Sequence, residues 1–222
     1  AAFFMGETGP GGYRLFFPMA FLLKTGTVIL AALLLLPALA WAGRLTGARG
    51  ALDPFFRESI WSTALAAGLF FTFCVSSNLN IGHRHMLPVY PFLFLWLGSL
   101  WMLAREYRWV RVALPAALAV HAALAVSIFP AFISHFNPIG GGSKEGYKYF
   151  ADSSYDWGQE MYVLADWLDA NADANGEPQL VLFAPMAPDF YGIDGRVLFQ
   201  FGAGFPAGLA FPEIRPGLVA VT

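Results

Sequence analysis

The chain of 222 residues has one cysteine, Cys74, so no internal disulfide can staple the fold and no paired thiols offer a zinc or redox site. Charge is almost as scarce. Asp, Glu, Lys and Arg make up 13% of the chain, about half of the roughly 25% usual in a soluble domain. So few charges on so apolar a chain exclude disorder, which needs low hydrophobicity and high net charge. The formal net charge of −2 excludes a nucleic-acid binder that works through a basic surface. Several motifs are also missing. Glycines 140–142 lack the Lys-Ser/Thr pair of a phosphate-cradling loop, and no nucleophile elbow or internal repeat is visible. Residues 1–14 lack the basic start and cleavage site of a signal peptide. Ala1 in place of Met, and an apolar run at 218–221 that reads as a strand cut short, give the expectation of a fragment of a longer chain.

What is abundant is apolar. Hydrophobic residues make up 57%, with 22 Phe, 7 Trp and a mean hydropathy of +0.55. A membrane-crossing helix needs about 20 mainly apolar residues. Four runs meet that length: 15–41 (broken only by Lys24), 60–77, 86–103 and 110–129. The expected fold class is a mainly α, polytopic membrane protein with four transmembrane helices in 1–133. A small outer α/β domain would follow in 134–222, with a helix from about Met161 and a strand at 179–183. Arginines 44, 49, 57, 105, 108 and 111 fall in two short loops, which the positive-inside rule puts in the cytoplasm. The His83–His85 loop and everything after about residue 133 would then lie outside.

A few polar residues stand out against this background. Lys24 lies inside the first apolar run. It is either a snorkelling lysine or a cation facing a cavity that binds an anionic headgroup. The segment 78–91 (NLNIGHRHMLPVYP) sets His83, Arg84, His85 and Tyr90 between two apolar runs. Arg84 can grip a phosphate through two parallel N–H groups, and His83 and His85 can donate to phosphate or sugar. The two histidines could also ligate a metal, but no third ligand is identifiable. The competing reading is an interfacial loop with Tyr90 in the aromatic belt. His121, alone on an apolar run, reads as a packing residue. Asp152, Asp156 and Trp157 lie in DSSYDWGQ. Asp156 with Gln159 reads as a helix capping box, against contacts to sugar or acceptor for the two aspartates, and Trp157 reads either as stacking on a sugar or as anchoring the tail at the membrane surface.

Three stretches together carry a resemblance: FLLKTGTVILAALLL at 21–35, NIGHRHMLPVYPFLF at 80–94, and NPIGG with GYKYFADSSYDWGQEM between 137 and 161. In this order and spacing the chain resembles the C-terminal part of bacterial GT-C type membrane glycosyltransferases related to protein O-mannosyltransferases and aminoarabinose transferases. Gly26 stands where Pro is expected after Lys-Thr, and Ser154 where Asn is common. The resemblance implies an enzyme of the inner membrane that moves a sugar from a polyprenyl-phosphate carrier to an acceptor lipid, glycan or protein on the outer face. The lipid-linked sugar would be the donor, and membrane lipids would surround the chain. A divalent metal is unsupported by any residue pattern. The resemblance places the catalytic carboxylates upstream, so none is expected here. This segment would supply Lys24, Arg84, His83, His85 and Tyr90 to the lipid phosphate, and Asp152, Asp156 and Trp157 to the acceptor side. The alternatives are a transporter segment with the same cations along its path, or a noncatalytic anchor that presents the outer domain.

Overall fold

The computed structural model describes residues 2–9, 11–35, 54–80, 82–104, 107–151, 154–175, 178–182, 186–200 and 219–221. They fall into two compact units, Ala1–Ser154 and Tyr155–Thr222.

The first unit opens with an antiparallel hairpin, β1 (Ala2–Phe4) and β2 (Glu7–Gly9). Its turn residues Met5 and Gly6 both have positive φ, 51° and 88°, the twist that two-residue hairpin turns favour. The hairpin presents Phe4 to a buried aromatic cluster. Phe4 lies 6.1 Å from Phe16 and 5.8 Å from Phe150, and Phe16 lies 4.9 Å from Phe150 (ring centroids). Such pairs add about 0.5–1.5 kcal/mol each beyond the area they bury. Phe136 stacks on Phe150 at 5.9 Å, so residues from 134 to 154 pack within the first unit.

The helices of this unit correct the expectation of four transmembrane helices. The apolar run at 15–41 is two helices, α1 (Phe16–Lys24) and α2 (Thr27–Leu35), bent by 105°; residues 36–41 lie outside the described residues. The bend has a local cause. Thr25 is extended (ψ 134°), and the Asn137 amide takes the Leu22 and Thr25 carbonyls at 2.6 and 2.8 Å. The run at 60–77 lies in α3 (Pro54–Ser76), whose described apolar part is Trp61–Ser76. The run at 86–103 is divided further, into a 3-10 helix (His83–Val89), α4 (Tyr90–Gly98) and α5 (Leu100–Leu103). Pro88 sits inside the 3-10 turn and Pro91 in the first turn of α4. Each lacks the N–H that a continuous α-helix would use there. The fourth run forms α6 (Val110–Ser127), unbroken over 18 residues. Among the described residues it alone is long and apolar enough to cross a membrane, or it and the bent pair if that pair counts as one span. The described residues do not form the four expected spanning helices.

Packing ties these pieces together. Ala67 of α3 is buried with Val89 and Leu93, and the Trp96 indole donates to Thr63 Oγ1 at 2.9 Å. Arg111, expected in a charged loop, donates from Nε to the Ala104 carbonyl at 2.6 Å. Arg44, Arg49 and Arg105, which carried the orientation argument, lie outside the described residues.

In the second unit α7 (Met161–Asn175) packs on a three-stranded parallel sheet. Its strands are β3 (Gln179–Leu182), β4 (Arg196–Gln200) and β5 (Val219–Val221), in the order β4-β3-β5. Met161, Ala165, Leu168, Leu180, Leu182 and Ile193 form its core. The 3- and 4-residue spacing of Met161, Ala165 and Leu168 places them on one helix face. Trp167, on the same helix, is 47% exposed. Gly195 enters β4 at a close approach. A Cβ there would lie 2.8 Å from the Pro178 carbonyl oxygen and 3.0 Å from Leu180 Cδ1, and the same carbonyl accepts from Arg196 N–H at 2.8 Å. Gly195→Ala should therefore destabilise this unit by about 1–3 kcal/mol. Amide exchange in β3 and β4 would report it as faster opening; unchanged protection would contradict the prediction.

Candidate functional site

The bend after Lys24 creates the site. Thr25 ends α1, and Lys24 in its last turn projects where residues 133–154 pass. The Lys24 ammonium donates to the Ile133 carbonyl at 2.6 Å and to the Ser154 carbonyl. It also lies 4.4 Å from the centroid of the Phe136 ring, a cation–π contact that gains strength with desolvation. Three chain segments remote in sequence thus converge on one amine.

Ser154, 1% exposed, is the bridge to the next part. Its hydroxyl accepts from the His83 backbone N–H at 3.0 Å. The His83 ring in turn shares a hydrogen bond with the Tyr90 hydroxyl (Nε2 to oxygen 2.8 Å), and that hydroxyl meets Thr25 Oγ1 at 2.6 Å. The two rings cross edge to face at 5.6 Å. A phenol has one proton, so Tyr90 donates to one of these neighbours and accepts from the other. Lys24, Ser154, His83, Tyr90 and Thr25 therefore form one connected polar group. Of the five, Lys24, His83 and Tyr90 were expected from the sequence; Thr25 and Ser154 were not. Ser154 does lie inside the DSSYDWGQ stretch, which was the available signal.

Burial, and then the Lys24 charge, push the His83 imidazole down to about 4 from its usual 6.5. A fold that prefers the neutral form is most stable above the unfolded-state value and weakens as pH falls from about 6.5 toward 4. The loss should reach about 3 kcal/mol. Thermal unfolding of the detergent-solubilised protein from pH 7.5 to 4 should show that decline, and His83→Gln should flatten it. A variant with the wild-type slope would assign the decline to another group.

The other expected residues divide. Arg84 is exposed on the same 3-10 helix. Each 3-10 residue rotates about 120°, so neither Arg84 nor His85 shares the face that His83 turns to Tyr90. His85 lines a separate cleft of about 490 Å³ with Phe17, Phe70, Phe73, Cys74 and Leu79. Its Nε2 is buried with no partner among the described residues. His85 is therefore not brought to Lys24. Among the described residues no three His, Cys, Asp or Glu side chains are placed to hold a metal ion.

Asp152 lies outside the described residues. Asp156 and Trp157 belong to the second unit. The Asp156 carboxylate accepts from Gly158 N–H at 2.8 Å, and the Gln159 side-chain oxygen accepts from Trp157 N–H at 2.7 Å. Since α7 starts at Met161, this is a side-chain-stabilised turn ahead of the helix and not the capping box read from the sequence. Burial holds the Asp156 carboxyl above its usual range. Trp157 is 41% exposed. Comparison with protein families, curated proteins and solved structures finds no match to the chain.

Proposed function

We propose that the chain is the C-terminal segment of an integral-membrane glycosyltransferase that takes its sugar from a polyprenyl phosphate. The observation that carries this reading is Lys24. Its ammonium is desolvated, fixed by two carbonyls and an aromatic face, and no carboxylate among the described residues offsets its charge. A desolvated cation without a counter-charge is costly to hold, and an anionic ligand would offset that cost. A phosphate at a lipid headgroup has that chemistry, and α6 supplies a helix able to cross a membrane beside it.

In this reading an upstream carboxylate takes the acceptor hydroxyl proton. The acceptor oxygen bonds to the anomeric carbon as the carbon–oxygen bond to phosphate breaks, and the electron pair leaves with the phosphate. Lys24 and Arg84 stabilise that growing charge, and a fixed cation in a low-dielectric cleft does so without reorganising. Tyr90 and His83 hold the bend that aims Lys24. The segment sits in a bacterial inner membrane with the residues after about 133 outside, and the acceptor is a lipid, glycan or protein on that side.

Arg84 tests the phosphate assignment. A charge-assisted contact contributes about 1.5–3 kcal/mol, so Arg84→Ala should weaken donor use about tenfold or more. Arg84→Lys should recover only part, because it keeps the charge but loses the planar fork. The measurement is transfer by the full-length enzyme against donor concentration, corrected for expression. Wild-type donor dependence in both Arg84→Ala and Lys24→Ala would remove the lipid phosphate from this site.

A further inference from the structure

Two histidines outside the network just described lie on segments that meet at the Lys24 bend. The Ile133 carbonyl that binds Lys24 at 2.6 Å and the Phe136 ring 4.4 Å from that amine flank His135, whose Nδ1 is buried with no hydrogen-bond partner among the described residues. On the other side, Gly26 lies two residues beyond Lys24, and a Cβ there would come within 2.9 Å of His121 Cε1. The His121 ring therefore rests against the bend itself, and Gly26 is what leaves it room. Lys24 and His121 both act electrostatically on His135, which burial, then Lys24, then His121 hold below its usual pKa. Among the described residues no carboxylate acts on His135 or His83. Three basic side chains from α1, α6 and the segment after α6 thus share one corner.

We infer that His121 and His135 complete the Lys24 corner as a site for a dianionic phosphate monoester, the product that leaves when the sugar is transferred. The inference rests on the glycosyl-transfer reading and adds a product state to it. The lipid donor is a phosphodiester with one negative charge. Cleavage of its carbon–oxygen bond to the sugar gives a monoester whose second ionisation lies near pH 6, so at neutral pH it carries almost one charge more. Within the buried corner one lysine balances the donor, since Arg84 is exposed to solvent. The additional charge calls for an additional cation, and a neutral imidazole beside it gains a proton when a dianion arrives. His135, faced by Lys24 and His121, is the group poised to take that proton.

The test uses the full-length protein in detergent with two probes, farnesyl phosphate and its methyl diester. At pH 7 the wild type should bind the monoester about fivefold or more tightly than the diester. The preference should shrink to about twofold or less in His135→Gln and in His121→Gln, and stay intact in Lys148→Gln, where the lost amine pairs with Glu145. A measurement on unmutated protein accompanies it: the ¹⁵N signals of the His135 ring should move to the protonated position with the monoester and not with the diester. Equal affinity for both probes, a preference that persists in the two histidine variants, or an unmoved His135 signal would overturn the inference while leaving the lipid-phosphate reading in place. Failure of both probes to bind, with Lys24→Met indistinguishable from wild type, would overturn both.

Discussion

Lys24→Met should lower kcat/KM for the lipid-linked donor about 10- to 100-fold and leave the KM for the acceptor unchanged. Methionine matches the lysine stem in length and keeps the apolar packing, so the substitution isolates the ammonium. Removing it takes away one charge-assisted contact to phosphate, about 1.5–3 kcal/mol. If that contact tightens as charge grows on the leaving group, the loss falls on kcat as well as on KM. A parallel melting curve separates chemistry from folding, because the Ile133 and Ser154 carbonyls lose their donor in this variant. A normal donor dependence in a fully folded variant would make Lys24 a structural clamp and nothing more.

The largest stability effect should come from Asn137→Ala, a loss of about 2–4 kcal/mol. Asn137 is fully buried. Its amide donates to the Leu22 and Thr25 carbonyls, its side-chain oxygen accepts from Ile139 N–H at 3.0 Å, and its backbone N–H donates to the Leu23 carbonyl at 2.8 Å. Alanine keeps only the last of these, and each stranded buried group costs about 1–3 kcal/mol. Asn137→Asp should be worse at neutral pH, since an ionised carboxylate has no donor to offer two carbonyl oxygens. Thermal unfolding monitored by circular dichroism would measure both. An alanine variant within about 0.5 kcal/mol of wild type would show that the bend holds without this clamp.

Asn137 also explains why the apolar runs misled. A run of apolar residues records a sum of transfer preferences, and 15–41 and 86–103 each have enough of it for a span. That sum carries no direction. The break after Lys24 depends on an amide 112 residues away in sequence from the Thr25 carbonyl it captures. Pro88 and Pro91 are the better local clues to the breaks in 86–103. In the second unit the strand at 179–182 and the helix start at Met161 were legible, because local periodicity and turn residues mark them directly.

The site was legible as chemistry but not as geometry. Lys24, His83 and Tyr90 stood out because polar groups are rare in so apolar a chain, and the chain alone determined that they were available. Residue type could not separate His83 from His85; the turn of a 3-10 helix sends one to Tyr90 and the other into the cleft beside Cys74. Nor could it select Ser154, whose neighbours Ser153 and Tyr155 are equally polar in composition. Composition determined an apolar molecule with few charges. Tertiary structure decided where the helices break and which polar groups share a site, because both depend on hydrogen bonds and ring contacts between residues far apart in the chain.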